Sequence, residues 1–293
     1  MIKRTIVGAV AASLLGLAGA EAASAATVDS NLTFVSYYAD NATTNNVTLS
    51  YVGGKAIVKD AGVASLTPGT NCVQGTAANI VSCSVSAGQK YFDVETYDGN
   101  DAINVETSAG AFRNFLKGGT GGDTINGGNS PDYIRGEDGA DTINGRGGDD
   151  SLGGGADDDR LIGSTGADDV SGDAGTDEFS YNDGRTAGIT VVLNSGLSGN
   201  SSDYGGLAGD TLTGFENIIG TPGSDSITGT AARNWINGGG GTGADSITAL
   251  GGNDEVQSFG PGSTIQLGDG DDEVYGVNSA TVADSISCGN GND

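Results

Sequence analysis

Apolar residues recur every nine positions through the middle of the chain. From Gly118 to Ser180 the sequence divides without a gap into seven units of nine residues, each beginning with glycine and carrying an apolar residue at its eighth position. One apolar residue in nine cannot form the stripe of an amphipathic helix, which needs three or four per two turns. Each unit instead predicts a glycine-rich turn followed by a three-residue strand, such as Thr124–Asn126, whose central side chain points inward.

The sixth position of every unit is aspartate, and these carboxylates are the first candidate metal ligands. They are Asp123, Asp132, Asp141, Asp150, Asp159, Asp168 and Asp177. Winding two units per coil would stack Asp123 on Asp141, with neighbouring strands about 4.8 Å apart. Bare carboxylates at that distance repel each other, and a Ca²⁺ ion with oxygen ligands at about 2.3–2.6 Å would bridge them. Mg²⁺ fits less well because it demands shorter octahedral bonds.

The same phase continues in less regular form on both sides of these units. Upstream, Asp101 precedes Ile103 by two residues, and Asn114 precedes Leu116. Downstream, a second array has spacers of variable length, and Ser263 stands where an aspartate is expected. Its candidate metal ligands are Asp225, Asp245, Asp254, Asp272 and Asp284.

Composition narrows the classes of partner. The chain has 54 glycines and 38 acidic residues against 12 basic ones, for a net charge of −26. With no basic patch to neutralise phosphates, we expect no nucleic-acid partner; anionic membrane surfaces are disfavoured for the same reason, and cations are favoured. The absence of histidine excludes His-based catalytic triads and the usual zinc sites. Neither an HExxH nor a GxSxG motif occurs, so we expect these residues not to form an enzyme.

A metal-free solenoid and plain disorder are the alternatives to a calcium-binding array. Low hydrophobicity combined with high charge is typical of disordered chains. A disordered segment has no reason, however, to keep an apolar residue two places after each aspartate. Disorder and order can both hold at different calcium levels, because binding to an unformed site becomes folding energy.

The units resemble a known repeat. They are similar to the nonapeptide G-G-x-G-x-D-x-U-x of the RTX, or hemolysin-type calcium-binding, family, closely over 118–181 and less closely over 220–293. The resemblance implies an all-β, calcium-stacked parallel β-roll (β-solenoid), with Ca²⁺ held between alternate coils by sixth-position carboxylates and loop carbonyls. It implies up to five ions framed by the aspartate pairs 123/141, 132/150, 141/159, 150/168 and 159/177. Ser130-Pro131 and Asp157 depart from the repeat, which implies weaker binding in their turns.

The remaining segments complete the predicted domain organisation. We expect a small β-rich N-terminal head over 26–92, a first array over 93–181, a β insertion over 182–219 and a second array over 220–293. The head could cap the open end of the solenoid or bind a surface. Cys72 and Cys83 are a disulfide candidate, with two buried free thiols as the alternative, and Cys288 is left over.

The first 25 residues have the features of a secretory signal peptide. Lys3 and Arg4 precede an apolar stretch from Ile6 to Ala20, and Ala23-Ser24-Ala25 provides a cleavage pattern. A retained membrane anchor is the alternative, although the apolar stretch is short for a span of about 20 residues. Cleavage predicts a secreted, extracellular protein without a membrane span. Because Asp293 is the sixth position of a repeat, we also expect the natural chain to continue beyond it.

Three functions are compatible with this pattern. The first is an extracellular structural or adhesive protein that folds on Ca²⁺, with calcium ions and cell-surface or matrix components as partners. The second is the repeat part of a secreted protease or lipase whose catalytic domain lies outside this chain. The third uses one regular face, with Thr124, Thr142 and Thr211, to bind carbohydrate or ice.

Overall fold

Short strands account for the regular structure of this chain. The computed structural model describes residues 26–30, 34–39, 44–85, 91–106, 113–193, 199–202, 209–257, 259–276 and 282–293, and these contain strands but no helix. The predicted signal peptide, 1–25, lies outside the described residues. The head contains β1 (Thr27–Ser30), β2 (Phe34–Tyr38), β3 (Asn46–Val52), β4 (Lys55–Asp60), β5 (Thr67–Pro68), β6 (Cys72–Gln74) and β7 (Ile80–Ser84).

The first array and the segments after it are also built from short strands. The array contains β8 (Tyr91–Asp98), β9 (Ala102–Val105), β10 (Phe115–Thr120), β11 (Thr124–Asn126), β12 (Tyr133–Asp138), β13 (Thr142–Asn144), β14 (Ser151–Ala156), β15 (Arg160–Ile162), β16 (Asp169–Ala174) and β17 (Glu178–Ser180). Beyond it lie β18 (Thr190–Val192), β19 (Gly199–Ser202), β20 (Thr211–Thr213), β21 (Asn217–Ile219), β22 (Ser226–Thr228), β23 (Trp235–Asn237), β24 (Ser246–Gly251), β25 (Glu255–Gln257), β26 (Thr264–Asp269), β27 (Glu273–Tyr275) and β28 (Ser285–Asn290).

The strands alternate between two stacked sheets. Sheet one has the order β5-β1-β2-β8-β10-β12-β14-β16-β20-β19-β18-β22-β24-β26-β28. Sheet two has the order β6-β7-β4-β3-β9-β11-β13-β15-β17-β21-β23-β25-β27. Within the array the pairing is parallel and joins each residue to the one 18 positions later, as in Ile125 with Ile143 and Ile134 with Leu152. The predicted all-β parallel solenoid with two units per coil is therefore confirmed.

Strand length differs between the sheets, and here the prediction of uniform three-residue strands is wrong. Strands β11, β13, β15 and β17 of sheet two have three residues, whereas β10, β12, β14 and β16 of sheet one have six. In the longer strands the pairing skips the first glycine of the next unit, Gly136, and resumes at Glu137. Glu137 adopts φ +85°, so the chain bends at the glycine and rejoins the same sheet.

The eighth-position side chains form the core between the sheets. Ile125, Ile143 and Leu161 of sheet two are fully buried, and they lie across from Ile134 and Leu152 of sheet one. Because each of these strands buries so few side chains, no single coil has a core of its own. The coils depend on their neighbours for stability, as in other repeat proteins.

Truncating one core residue is expected to destabilise the stack. Ile143→Ala should lower the free energy of unfolding by about 2–5 kcal/mol, because it removes buried methyl groups and leaves a cavity. Denaturant unfolding in saturating calcium measures the loss. The matched control is Thr142→Ala, since Thr142 is the exposed neighbour on the same strand. An equal effect of the two variants would contradict a core at the eighth position.

The head continues both sheets rather than standing apart. Strand β2 pairs in parallel with β8, and β3 pairs in parallel with β9. The residues assigned to the head and to the first array therefore share β8, which spans the 92/93 boundary. A Cys72–Cys83 disulfide, with an S–S distance of 2.08 Å, joins β6 to β7 at the far end of sheet two. Cys288 is exposed and forms no disulfide within the described residues.

The predicted insertion contributes strands to the solenoid itself. Strand β19 pairs antiparallel with both β18 and β20, and it interrupts sheet one between the two arrays. Strand β20 continues the ladder from β16, and β21 continues the ladder from β17. Sheet two therefore runs from one array to the next without a break.

Candidate metal centre

The sixth-position aspartates stack in two columns, one at each turn between the sheets. In each column, Oδ1 of one aspartate accepts the backbone N–H of the aspartate 18 residues earlier. Column one is illustrated by the N–H of Asp123 and Oδ1 of Asp141, at 2.7 Å. Column two is illustrated by the N–H of Asp132 and Oδ1 of Asp150, at 2.8 Å. This bond fixes each carboxylate against the coil beside it.

The second oxygen of most of these carboxylates is buried without a hydrogen bond. The eleven predicted ligands other than Asp284 are at most 3 % exposed. Oδ2 has no hydrogen-bond partner among the described residues in Asp101, Asp123, Asp141, Asp150, Asp159, Asp168, Asp177, Asp254 and Asp272. A buried polar atom without a partner costs about 1–3 kcal/mol, and more when it is charged. The columns are therefore lined with oxygens suited to a cation.

Burial also changes the protonation of these carboxylates. Loss of solvation is the largest cause in every case, and it raises the pKa of each group above its ordinary value of 3.8. The pKa rises to about 6 for Asp123, Asp132, Asp159, Asp245 and Asp254, to about 7 for Asp141, Asp168 and Asp177, and to about 9 for Asp150. Neighbouring carboxylates add to the rise for Asp150, whose pKa Asp168 and Asp132 both raise.

The first glycine of each unit leaves space beside the free carboxylate oxygen. A Cβ placed on Gly136 would lie 1.9 Å from Asp141 Oδ2 and 2.7 Å from the carbonyl oxygen of Gly154. A Cβ on Gly118 would lie 2.0 Å from Asp123 Oδ2 and 2.9 Å from the carbonyl oxygen of Gly136. A carboxylate and a carbonyl of the next coil therefore converge on one point, and only glycine keeps that point open.

The donor set matches Ca²⁺. Within the described residues no three acidic or cysteine side chains gather around one point, so backbone carbonyls must complete any coordination shell. Ca²⁺ takes six to eight oxygen ligands and accepts carboxylates and carbonyls together. The residues present fit this ion: the column aspartates whose Oδ2 has no hydrogen-bond donor would supply that oxygen, and the glycine-rich turns would supply carbonyl oxygens.

Three predicted ligands differ from the others in the use of Oδ2. Asp132 Oδ2 accepts the N–H of Gly128 at 2.6 Å, and Asp225 Oδ2 accepts the N–H of Thr221 at 2.8 Å. Asp245 Oδ2 accepts the N–H of Gly260 at 3.0 Å. These three carboxylates are part of the columns, but their second oxygen already has a donor.

Asp284, the last predicted ligand, is the least buried of the twelve. It is only partly buried, and its Oδ1 accepts the N–H groups of Gly262 and Ser263 at 2.8 and 2.9 Å. It takes the column position next to Ser263, whose hydroxyl accepts the N–H of Asp245 at 2.8 Å.

The columns also contain residues absent from the predicted ligand set. Asp101 Oδ1 accepts the N–H of Asn45 and starts column one. Asp210 Oδ1 accepts the N–H of Asp168 at 3.0 Å, and Glu216 Oε2 accepts that of Asp177 at 3.0 Å. A sequence signal exists for all three acids, because each precedes a buried apolar residue by two positions. The insertion before Asp210 interrupts the nine-residue spacing, which makes this signal hard to recognise in the sequence.

The threonines proposed as a carbohydrate or ice-binding face do not share one surface. Thr124 and Thr142 are paired neighbours on sheet two. Thr211 begins β20 of sheet one. The three side chains therefore cannot act together as one regular face.

Comparison with known proteins agrees with this geometry. The model of the RTX calcium-binding nonapeptide repeat matches four times, over residues 109–152, 153–185, 210–242 and 240–257. A search of curated proteins gave no match. No helix long and apolar enough to cross a membrane occurs in the described part of the chain. Residues 109–185 and 210–257 of this chain are therefore RTX calcium-binding nonapeptide repeats, and repeats of this kind bind Ca²⁺.

Proposed function

We propose that this chain is a secreted protein whose arrays fold on Ca²⁺ into a rigid extracellular solenoid with a structural or adhesive role. The observation that carries the proposal is the row of buried carboxylate oxygens without hydrogen-bond donors. The N-terminal sequence favours export, and the Cys72–Cys83 disulfide suits an oxidising compartment. The net charge of −26 favours loading with cations.

The folding mechanism follows from the columns. Without a cation, burying Asp123 and Asp141 side by side requires desolvation of two carboxylates that repel each other. Bound Ca²⁺ supplies the compensating charge. Oδ1 of each aspartate holds the neighbouring coil through a backbone N–H, while Oδ2 faces the space that the first glycine leaves open. Binding energy therefore becomes folding energy, and the array is stable where calcium is abundant.

Calcium titration tests this function. We expect isothermal calorimetry on the chain lacking residues 1–25 to show several bound Ca²⁺ ions. Circular dichroism should show strand signal that is lost in EGTA and is not restored by the same concentration of Mg²⁺. No binding heat together with an unchanged spectrum in EGTA would refute the proposal.

A pair of variants localises the effect to the columns. Asp141→Asn keeps an oxygen to accept the N–H of Asp123 but replaces the charged Oδ2, so the protein should lose at least one ion. Asp138→Asn changes an exposed aspartate of the same unit and removes the same charge. It should leave the stoichiometry unchanged. An equal loss from both variants would point to nonspecific charge binding instead.

A further inference from the structure

Two turns of the solenoid hold their sixth-position carboxylate with their own backbone. In turn 127–132, Gly128 donates its N–H to Asp132 Oδ2 at 2.6 Å. In turn 220–225, Thr221 donates its N–H to Asp225 Oδ2 at 2.8 Å. The donor lies four residues before the acceptor in both. We refer to turns 127–132 and 220–225 as the closed turns.

Other oxygens of the closed turns are also bound by protein donors. The guanidinium of Arg146 donates to the carbonyl of Gly127, the first residue of turn 127–132, at 2.9 Å. In turn 220–225 the hydroxyl of Thr221 donates to Asp225 Oδ1 at 2.7 Å. In turn 127–132 Asp132 Oδ2 and the carbonyl of Gly127 therefore have donors already, and in turn 220–225 both carboxylate oxygens of Asp225 do.

A third turn shows that this closure works without a charged side chain. Asn234 occupies the sixth position of turn 229–234, and its Oδ1 accepts the N–H of Thr230 at 2.6 Å. The hydroxyl of Thr230 lies 3.2 Å from the same oxygen. A neutral amide thus makes the same four-residue contact as Asp132 and Asp225. The contact needs an acceptor oxygen and no negative charge.

A cation is disfavoured where this N–H is present. Ca²⁺ would have to lie about 2.3–2.6 Å from the carboxylate oxygen. There it would face the positive end of the N–H dipole that already points at the same oxygen. At Asp123, Asp141 and Asp150 the corresponding oxygen has no donor among the described residues, so no such repulsion arises.

We propose that the closed turns take no Ca²⁺ and are held by protein hydrogen bonds alone, so that each array contains a metal-independent turn beside its calcium sites. This inference rests on the proposed function, because it divides the predicted ligands into two classes. Asp132 and Asp225 are column residues that position the chain. Asp123, Asp141, Asp150, Asp159, Asp168 and Asp177 remain the predicted ligands of the first array.

The closed turns also have a place in assembly. The N–H of Asp132 donates to Asp150 Oδ1 at 2.8 Å, and the N–H of Asp225 donates to Asp245 Oδ1 at 2.9 Å. Each closed turn therefore presents a fixed donor to the coil that stacks on it. In this arrangement a turn that forms without metal presents its N–H to the next turn along the column. In the first array that next turn contains Asp150, one of the predicted calcium ligands.

Matched substitutions test whether the closed turns differ from the calcium-binding turns. Calcium stoichiometry is measured by calorimetry on Asp132→Asn, Asp225→Asn and the double variant, with Asp150→Asn as the comparison. Asparagine can keep the contact with the turn N–H, as Asn234 does. The three closed-turn variants should bind as many ions as the wild type, with affinity changed less than about twofold. Asp150→Asn should bind at least one ion fewer. Loss of an ion in Asp132→Asn or Asp225→Asn overturns the inference.

A measurement on the unaltered protein covers the case of a variant that fails to fold. Long-wavelength anomalous difference maps of calcium-loaded wild-type crystals should show peaks beside Asp141 and Asp150 and none beside Asp132 or Asp225. A peak at either closed turn overturns the inference while leaving the proposed function standing. A wild-type protein that takes up no calcium in solution overturns both.

Discussion

In calcium-free buffer the solenoid should be more stable at pH 5 than at pH 8. Burial raises the pKa of Asp141 to about 7 and that of Asp150 to about 9, from an ordinary value of 3.8. Between pH 4 and these raised values the folded chain binds protons that the unfolded chain has released. Stability of the metal-free fold is therefore greatest at the acidic end and falls as the pH rises through 6 to 9.

Calcium should reverse this dependence. Protons and Ca²⁺ compete for the same Oδ2 atoms, so calcium affinity rises as the pH rises through the pKa of each column aspartate. Denaturant midpoints measured at pH 5, 6, 7 and 8, once in EGTA and once in calcium, should have opposite trends. Asp141→Asn removes one titrating group and should flatten the EGTA trend, whereas Asp138→Asn should not. A midpoint in EGTA that increases with pH would contradict buried, unpaired carboxylates.

The columns accordingly require a positive partner, and two are available. At low pH the partner is a proton on each carboxylate, which makes the turn neutral. At neutral pH the partner would be Ca²⁺, which the free carboxylate oxygens and carbonyl oxygens such as that of Gly154 would hold. Only the second partner would take its ligands from two coils. We therefore expect the acid-folded array to be less resistant to denaturant than the calcium-loaded one.

The coil register could be predicted from the sequence because it depends on a local pattern. An aspartate followed two residues later by an apolar side chain fixes both the turn and the inward position of the strand. Repeating that pattern every nine residues leaves few ways to bury the apolar column, and two units per coil is the observed one. Ile125 pairs with Ile143 for this reason.

The differences among turns could not be predicted in the same way. The six-residue strands depend on a positive φ at the residue after the first glycine of a unit, and in β12 and β16 that residue is Glu137 or Asp173 rather than glycine. No local sequence pattern indicates a positive φ at these two acidic residues. The closed turns depend on the direction of one N–H, at Gly128 or Thr221. Glu216 has the local signal, an apolar residue two positions later, but its column neighbour Asp177 lies 39 residues away, a separation that the repeat length does not predict.

Gly136→Ala should remove a calcium site and destabilise the calcium-loaded protein. The new Cβ would lie 1.9 Å from Asp141 Oδ2 and 2.7 Å from the carbonyl oxygen of Gly154, both far inside van der Waals contact. Gly136 does not have a positive φ, so the cost is steric and not conformational. Overpacking of this kind costs about 1–3 kcal/mol, and the lost ion adds to it.

The matched control is Gly128→Ala in a closed turn. A Cβ on Gly128 would meet its nearest neighbour, the amide nitrogen of Asn114, at 3.4 Å, which is ordinary contact. The alanine keeps the N–H that Asp132 accepts, and it restricts the unfolded chain, which favours folding by about 0.4–1 kcal/mol. Calorimetry should therefore find the wild-type number of ions in Gly128→Ala and at least one fewer in Gly136→Ala. If Gly136→Ala bound calcium as the wild type does, the space beside Asp141 Oδ2 could not be the metal site, because an ion and a methyl group cannot occupy it together.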